Sequence, residues 1–221
     1  MRKSKYIPLA TVLFFLVAVL DILGVVLDEK ILRYVFKPLT IPVLVLVYVL
    51  SVKERNKTYL LALLFSLIAD VLILNDSDGY FILTIGFFLI MHLTYLIVLT
   101  NTIYDYNKKS LVLAVIPYSL VLISVLFFVY KNLSNFLFPI LIYGFVVCSF
   151  GALSFYNYLE KRSTTALLLV FGSFFFIISN SMSAFGKFHL KNDELEIGIM
   201  LTYVVAQFLI CQYVIKTSET T

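Results

Sequence analysis

Asp70 is the residue whose position in this sequence most requires a chemical explanation. It lies in an apolar run from Tyr59 to Leu74, with no opposite charge near it in the sequence. A carboxylate at the centre of a bilayer costs about 2.5–3.5 kcal/mol on insertion scales, and such residues usually mark functional sites. We therefore expect polar side chains from distant segments to surround Asp70. The structural alternative is that Asp70 is only a hydrogen-bond acceptor between helices.

Other polar side chains also lie within apolar segments and are candidates for the same site. His92 and Tyr95 are three residues apart, while Tyr203 and Gln207 are four apart, so each pair shares one face of a helix. The depths of these residues predict one cavity between the midplane and the outer leaflet. The candidates for it are Asp70, Asn180 and His92 as catalytic residues, and Lys37, Tyr95, Tyr203 and Gln207 as substrate-binding residues.

Each candidate has an ordinary structural alternative. A lone histidine often only bonds to a neighbouring helix, an asparagine serves as a hydrogen-bonding group between helices, and a lysine near a helix end reaches to the interface. Asp21 lies about one turn from the end of the first span, where we expect solvent to reach it, so it is a weaker candidate.

Membrane-spanning helices must position these residues. Of the 221 residues, 62% are hydrophobic and 14% charged, whereas a soluble domain of this size would need more polar surface. Apolar stretches of about 20 residues predict transmembrane helices. We expect an all-α integral membrane protein with one transmembrane domain over residues 1–221. The eight predicted spans are about 7–27, 34–52, 58–75, 80–100, 110–130, 134–158, 164–185 and 196–216.

Proline and charge positions add detail to this prediction. Pro38 is expected in the first turn of the second span, where proline is tolerated. Lysine and arginine are more frequent in the loops on the side of the two termini, which predicts that both termini are cytoplasmic. These basic loops explain the net charge of +4, so no nucleic-acid partner is expected. Two histidines without ligand spacing predict no metal site.

A faint internal repeat is also present. Residues 65–70 (FSLIAD) resemble residues 175–180 (FFIISN), so Asp70 and Asn180 occupy corresponding positions. The repeat predicts two weakly similar four-helix halves in parallel orientation. Phenylalanine is so common in this chain that such matches also arise by chance.

Six segments together resemble the YhhN family of lysoplasmalogenase-like membrane proteins. They follow in order over nearly the whole chain. The segments are residues 36–40, 62–74, 86–95, 143–153, 172–188 and 201–210, which include KP at 37–38, FSLIAD at 65–70, MHLTY at 91–95 and TYVVAQ at 202–207.

The resemblance implies an eight-helix fold and hydrolysis of the vinyl-ether bond of lysoplasmalogens, with a fatty aldehyde and a glycerophospho-alcohol as products. Asp70, His92 and Tyr203 fall on family motif positions. The family typically has serine-aspartate in the seventh span, where this chain has Ser179 and Asn180. Asn180 cannot titrate, so we expect it to orient water through its carbonyl oxygen while Asp70 alternates as acid and base. Lys37 is expected to hold the lipid phosphate, and no cofactor is expected.

Three functions remain open from the sequence. The first is a lysoplasmalogenase-like hydrolase acting on ether lipids, with a lysophospholipid substrate. The second is a non-catalytic lipid-binding or lipid-sensing relative, marked by Asn180 in place of the family aspartate. The third is a small transporter, although no pair of broken helices in corresponding positions indicates a transport site. A bacterial inner membrane is the expected location, and the oligomeric state is left open.

Overall fold

The chain forms a bundle of α-helices. The computed structural model describes residues 5–103, 107–189 and 193–219. Within these residues there are eight α-helices and two short 3-10 helices, and no strand. The helices are α1 (Ile7–Val26), α2 (Lys30–Ser51), α3 (Lys57–Leu72), α4 (Asp78–Thr100), α5 (Lys108–Val129), α6 (Leu137–Lys161), α7 (Thr164–Phe188) and α8 (Asp193–Ser218). The predicted all-α membrane bundle is confirmed.

α3 differs from the other helices in length. Among the described residues, seven helices are long and apolar enough to cross a membrane, whereas α3 has 16 residues. At a rise of about 1.5 Å per residue α3 is about 24 Å long, which is shorter than a hydrocarbon core of about 30 Å. The predicted span 58–75 is too long at its C-terminal end, because Ile73 and Leu74 form a turn. Asp70 therefore lies in the last turn of α3.

α2 begins earlier than the sequence pattern indicated. Its first residue is Lys30, so Pro38 and Pro42 both lie inside the helix. The expectation of Pro38 in a first turn is wrong, because the charged residues before it already belong to the helix. Each internal proline removes one N–H from the helix ladder. Lys37 consequently lies inside α2, about two turns after its first residue, and not at its end.

The helices pack as four consecutive pairs, α1 with α2, α3 with α4, α5 with α6 and α7 with α8. α6 also packs against α4 and α7, and α8 against α1 and α2, while α5 lies at the periphery. Antiparallel pairs place the C-terminal ends of α1, α3, α5 and α7 on one side of the bundle, which we call the connection face. The opposite side, which carries the N-terminal end of α1 and the C-terminal end of α8, is the terminal face. The internal repeat stays a prediction.

Two clusters of buried side chains form the core. One includes Tyr48, Leu63 and Tyr203, and the other includes Phe81 and Tyr143. The second cluster contains the C-terminal end of α7 and the N-terminal end of α4, so it lies towards the connection face. The polar residues described below lie where the two clusters meet.

Gly172 allows α7 and α8 to approach closely. A Cβ atom there would lie 2.8 Å from Ile210 Cγ1 and 3.3 Å from the Ala206 carbonyl oxygen. We predict that Gly172→Leu lowers the free energy of unfolding by about 1–3 kcal/mol, as overpacking does. Gly86→Leu is the matched control, since nothing lies within 4 Å of a Cβ at Gly86. Thermal unfolding in detergent measures both variants, and equal melting temperatures would contradict this account of the helix pair.

Candidate functional site

Asp70 is enclosed by protein and not by lipid. Its side chain is 1% exposed, and the Tyr203 hydroxyl of α8 donates to Asp70 Oδ2 over 2.6 Å. This short hydrogen bond joins the end of α3 to the middle of α8. The partners expected from distant segments are therefore present.

A chain of hydrogen bonds extends from Asp70 into the bundle. The Ser66 and Tyr203 hydroxyl oxygens are 2.7 Å apart. Because the Tyr203 proton is donated to Asp70, Ser66 donates to Tyr203. Gln207 Nε2 donates to Ser66 over 2.8 Å, and the Tyr95 hydroxyl donates to Gln207 Oε1 over 2.7 Å. Every donor points towards the carboxylate, so α3, α4 and α8 together fix its orientation.

Asp70 and Asn180 face one inner cavity, as the sequence predicted. The cavity has a volume of about 140 Å³ and a mainly apolar wall. Its polar wall residues include Lys37, Asp70, Tyr143, Asn180 and Tyr203, and its apolar ones include Phe81, Ile85, Phe88, Val147 and Phe176. A carboxyl group in such a wall meets few water molecules, so proton transfer there would be shielded from bulk solvent.

Asn180 presents a donor to this cavity. The Tyr143 hydroxyl donates to Asn180 Oδ1 over 2.7 Å, while Asn180 Nδ2 is buried without a hydrogen-bond partner among the described residues. The Thr84 hydroxyl, also in the cavity wall, is buried without a partner as well. The expectation that Asn180 orients water through its carbonyl oxygen stays a prediction, and Tyr143 occupies one lone pair of that oxygen.

His92 lies behind the cavity wall. It is fully buried, and its Nδ1 is 2.8 Å from the Phe88 carbonyl oxygen of its own helix. Its ring centroid is 4.6 Å from that of Phe176 and 5.7 Å from that of Tyr143. The prediction that His92 lines the cavity is wrong, because its ring packs against two side chains that form the wall.

Tyr95 and Gln207 are also absent from the cavity wall. They are 2% and 0% exposed, and their polar atoms bond to each other in the chain described above. Both residues therefore help to hold Asp70 in place. Their positions do not favour the expected direct contact with a substrate.

Lys37 connects the inner cavity to a polar vestibule on the connection face. The vestibule has a volume of about 530 Å³. Lys37 lines both spaces, with its Nζ 5.8 Å from the centroid of the Tyr203 ring. Other charged residues of the vestibule include Lys30, Arg33, Asp76, Lys187 and Glu196.

Two ion pairs border this vestibule. Arg33 Nη1 is 3.2 Å from Glu196 Oε2, which joins α2 to α8, and Lys187 Nζ is 2.8 Å from Asp78 Oδ1, which joins α7 to α4. Arg33 and Lys187 are therefore already neutralised, whereas no ion pair of Lys37 is found among the described residues. Lys37 is thus the cation best placed to receive an anion that reaches the inner cavity.

Asp21 is the residue whose importance the sequence reasoning underestimated. It is 3% exposed, so the expectation that solvent reaches it is wrong. Its Oδ1 is buried without a hydrogen-bond partner among the described residues, and the charges that act on it are those of Lys37 and Arg33. The sequence does contain a signal that Asp21 and Lys37 lie near each other. The α1–α2 connection is short, and the two residues lie at similar distances from it along their helices.

The fold and the site define a multi-span membrane protein with a buried carboxylate that faces an apolar cavity. The chain belongs to the YhhN family, whose model matches residues 32–214. The resemblance found in the sequence motifs is thereby confirmed. The matched range begins within α2, so α1 and Asp21 lie outside it. No curated protein and no solved structure matches the chain.

The hydrogen-bonded chain predicts non-additive effects of substitution. Gln207→Leu leaves the Tyr95 and Ser66 hydroxyls without their partner, so we expect the free energy of unfolding to fall by about 1–3 kcal/mol. In the double variant with Tyr95→Phe one of these hydroxyls is gone, so the loss is smaller than the sum of the single losses. Unfolding in detergent measures this, with Gln212→Leu, at a partly exposed position of α8, as the control. Additive losses of unfolding free energy would contradict the proposed coupling of these hydrogen bonds.

The charges of Asp21 and Lys37 are predicted to depend on each other. Asp21→Asn removes a negative charge near Lys37, so we expect a lower melting temperature. Lys37→Met added to Asp21→Asn should recover part of that loss, with a coupling free energy of about 0.5–3 kcal/mol. A double-mutant cycle of melting curves measures the coupling. A coupling of zero would show that the two side chains are independent.

Proposed function

We propose that this protein is a lysoplasmalogenase-like membrane hydrolase, which cleaves the vinyl-ether bond of single-chain ether phospholipids. The products would be a fatty aldehyde and a glycerophospho-alcohol. Family membership is consistent with this function. The observation that carries the proposal is the inner cavity itself, where a buried carboxyl group faces an unpartnered amide N–H across an apolar space.

The first chemical step requires an acid. Vinyl-ether hydrolysis begins when the alkene carbon distal to the oxygen accepts a proton, which leaves an oxocarbenium ion. In our proposal Asp70 donates this proton from Oδ1, because Tyr203 holds Oδ2. The apolar wall supports this role, since a carboxylic acid that holds its proton near neutral pH needs surroundings of low polarity.

The second step requires water. The water oxygen forms a bond to the oxocarbenium carbon, and the water proton returns to the Asp70 carboxylate, which leaves a neutral hemiacetal. When the hemiacetal collapses, the bond to the glyceryl oxygen breaks. Asp70 protonates that oxygen and takes the hemiacetal hydroxyl proton, so it ends as it began. Asn180 Nδ2 is placed to donate to the departing oxygen, and Asn180 Oδ1 retains one lone pair for water.

The remaining predicted residues have supporting roles in this proposal. Lys37 binds the lipid phosphate at the junction of the vestibule and the inner cavity. Tyr95 and Gln207 contribute to the chain of hydrogen bonds that orients Asp70. His92 packs against Tyr143 and thereby fixes the hydroxyl that bonds to Asn180. We propose His92 as a positioning residue that does not touch the substrate.

A non-catalytic lipid-binding function is the second candidate, and one observation favours it. Asn180 cannot take up a proton, so Asp70 is the one carboxylate in the part of the cavity wall that the structure describes. A relative that had lost its second carboxylate would retain the cavity, the cation and the vestibule, and would bind the lipid without cleaving it.

We also propose a bacterial inner membrane with both termini in the cytoplasm. The vestibule would then open at the outer side. In this orientation the cations of the connection face lie on the outer side, where the positive-inside rule predicts few of them. The vestibule explains their presence there. Lys30, Arg33, Lys37 and Lys187 surround the vestibule, so in this proposal they belong to the walls of the site and are not ordinary loop charges.

Aldehyde release by purified protein in detergent tests the hydrolase function. With a lysoplasmenyl lipid we expect the native protein to release fatty aldehyde, and Asp70→Asn to reduce the rate by about 10²-fold or more, as loss of a general acid does. Asp28→Asn is the matched control, because Asp28 is exposed in the α1–α2 turn and its φ of 52° suits asparagine. Unchanged release by Asp70→Asn would contradict the proposal.

Asn180→Asp separates the two candidate functions. The hydrolase predicts activity in the native chain, with a rate that Asn180→Asp alters but does not create. The lipid-binding relative predicts no aldehyde from the native chain, saturable lysolipid binding, and release only after Asn180→Asp restores a second carboxylate. Measurement of binding beside turnover decides between them.

A further inference from the structure

The seam between α5 and α7 contains a groove that the chemistry above does not use. α5 packs mainly on α6 and only lightly on α7, and its buried residues are Ala114 and Val129. The groove has a volume of about 790 Å³, and its wall is almost entirely apolar. Phe174, Ile178 and Phe185 of α7 form much of it.

The groove and the inner cavity share wall residues. Val121, Ile177 and Ser181 line both spaces. These residues therefore form a thin partition between the site of Asp70 and the lipid-facing side of the bundle. The boundary between the inner cavity and the vestibule differs in that it includes a charged residue, Lys37, beside apolar residues such as Ile73 and Met200.

The inner cavity is too small to hold a whole lipid. Its volume of about 140 Å³ has room for about ten water molecules, at about 10–15 Å³ of such cavity volume for each. A lipid whose reacting bond lies beside Asp70 must therefore extend its two ends out of the cavity. The charged vestibule suits the phosphate end, which leaves the apolar groove for the hydrocarbon end.

We propose that the α5–α7 groove binds the hydrocarbon chain of a single-chain lipid whose polar end lies in the vestibule. The inference rests on the proposed function for the identity of the lipid. The chain leaves the inner cavity past Ser181 and lies against α7, in contact with the bilayer. One chain would fill the seam, so the site should prefer lysolipids to lipids with two chains.

Tyr118 limits the length of chain that the groove accepts. It lies about halfway along α5 and lines the groove. A Cβ atom at Gly151 of α6 would overlap the Tyr118 ring, so this glycine lets the ring sit deep against α6. The groove therefore runs from the connection face towards the middle of the bundle and ends at Tyr118.

Photo-crosslinking tests where the chain lies without requiring turnover. The probe is a lysolipid with a saturated ether bond, which the proposed reaction cannot cleave, and a diazirine near the end of its chain. We expect adducts on groove residues such as Val121, Ile178 and Phe185, and we expect an excess of unlabelled lysolipid to abolish them. Adducts scattered over the lipid-facing helices, unaffected by the competitor, would mean that only bulk lipid occupies the groove and would overturn the proposal.

A matched pair of variants tests the passage beside Ser181. Ser181→Trp should close the partition, while Ser149→Trp introduces the same change on the outer side of α6. Both native hydroxyls donate to a carbonyl oxygen four residues earlier over 2.7 Å. We expect Ser181→Trp to reduce competed crosslinking about tenfold or more, since each methylene excluded from an apolar site weakens binding several-fold. Ser149→Trp should have no effect.

Turnover then separates this inference from the proposed function. If aldehyde is released, Ser181→Trp should lower the rate for a long-chain substrate more than for a short-chain one. Equal reduction for both chain lengths would overturn the groove as the chain site. If no aldehyde is released but competed crosslinking maps to the groove, the hydrolase proposal fails and the chain site stands.

Discussion

The structure depends on a buried carboxylate that the protein must hold without water. Asp70 is 1% exposed, and its nearest support is a hydroxyl at 2.6 Å. Behind that hydroxyl, three donors from three helices point in the same direction. An unpaired polar group in this position would be costly, and a half-satisfied network would be worse than an apolar core. The packing of α3, α4 and α8 is therefore tied to the chemistry of one side chain.

This arrangement divides the site into regions of different polarity. The charged vestibule, the small inner cavity and the apolar groove meet at a few shared residues. An amphiphile with one chain has the same order of polarity along its length. The short α3 contributes to this division, because its end at Leu72 brings the polar α3–α4 turn close to Asp70. Asp21 of α1 and Lys37 of α2 add opposite charges that act on each other beside this site.

Much of the fold and part of the site could be predicted from the sequence. Long apolar runs predicted the helices, and the depth of Asp70, Asn180 and Tyr203 predicted that they meet. His92 was misplaced because residues three apart on a helix differ in direction by about 60°, which is enough to send Tyr95 towards Gln207 and His92 towards Phe176. The orientation of the Asn180 amide depends on Tyr143, a partner on another helix that spacing alone does not reveal. Asp21 was undervalued because its burial is produced by α2.

The most direct test of the account is whether the Asp70 carboxyl group is reachable from the inner cavity. A hydrophobic carbodiimide reacts with protonated carboxyl groups in apolar surroundings to give a stable acylurea, which peptide mass spectrometry can locate. The account predicts an adduct on Asp70 that is lost in Asp70→Asn and suppressed when the uncleavable lysolipid occupies the protein. Modification confined to other carboxyl groups, or modification of Asp70 that the lysolipid does not affect, would contradict it.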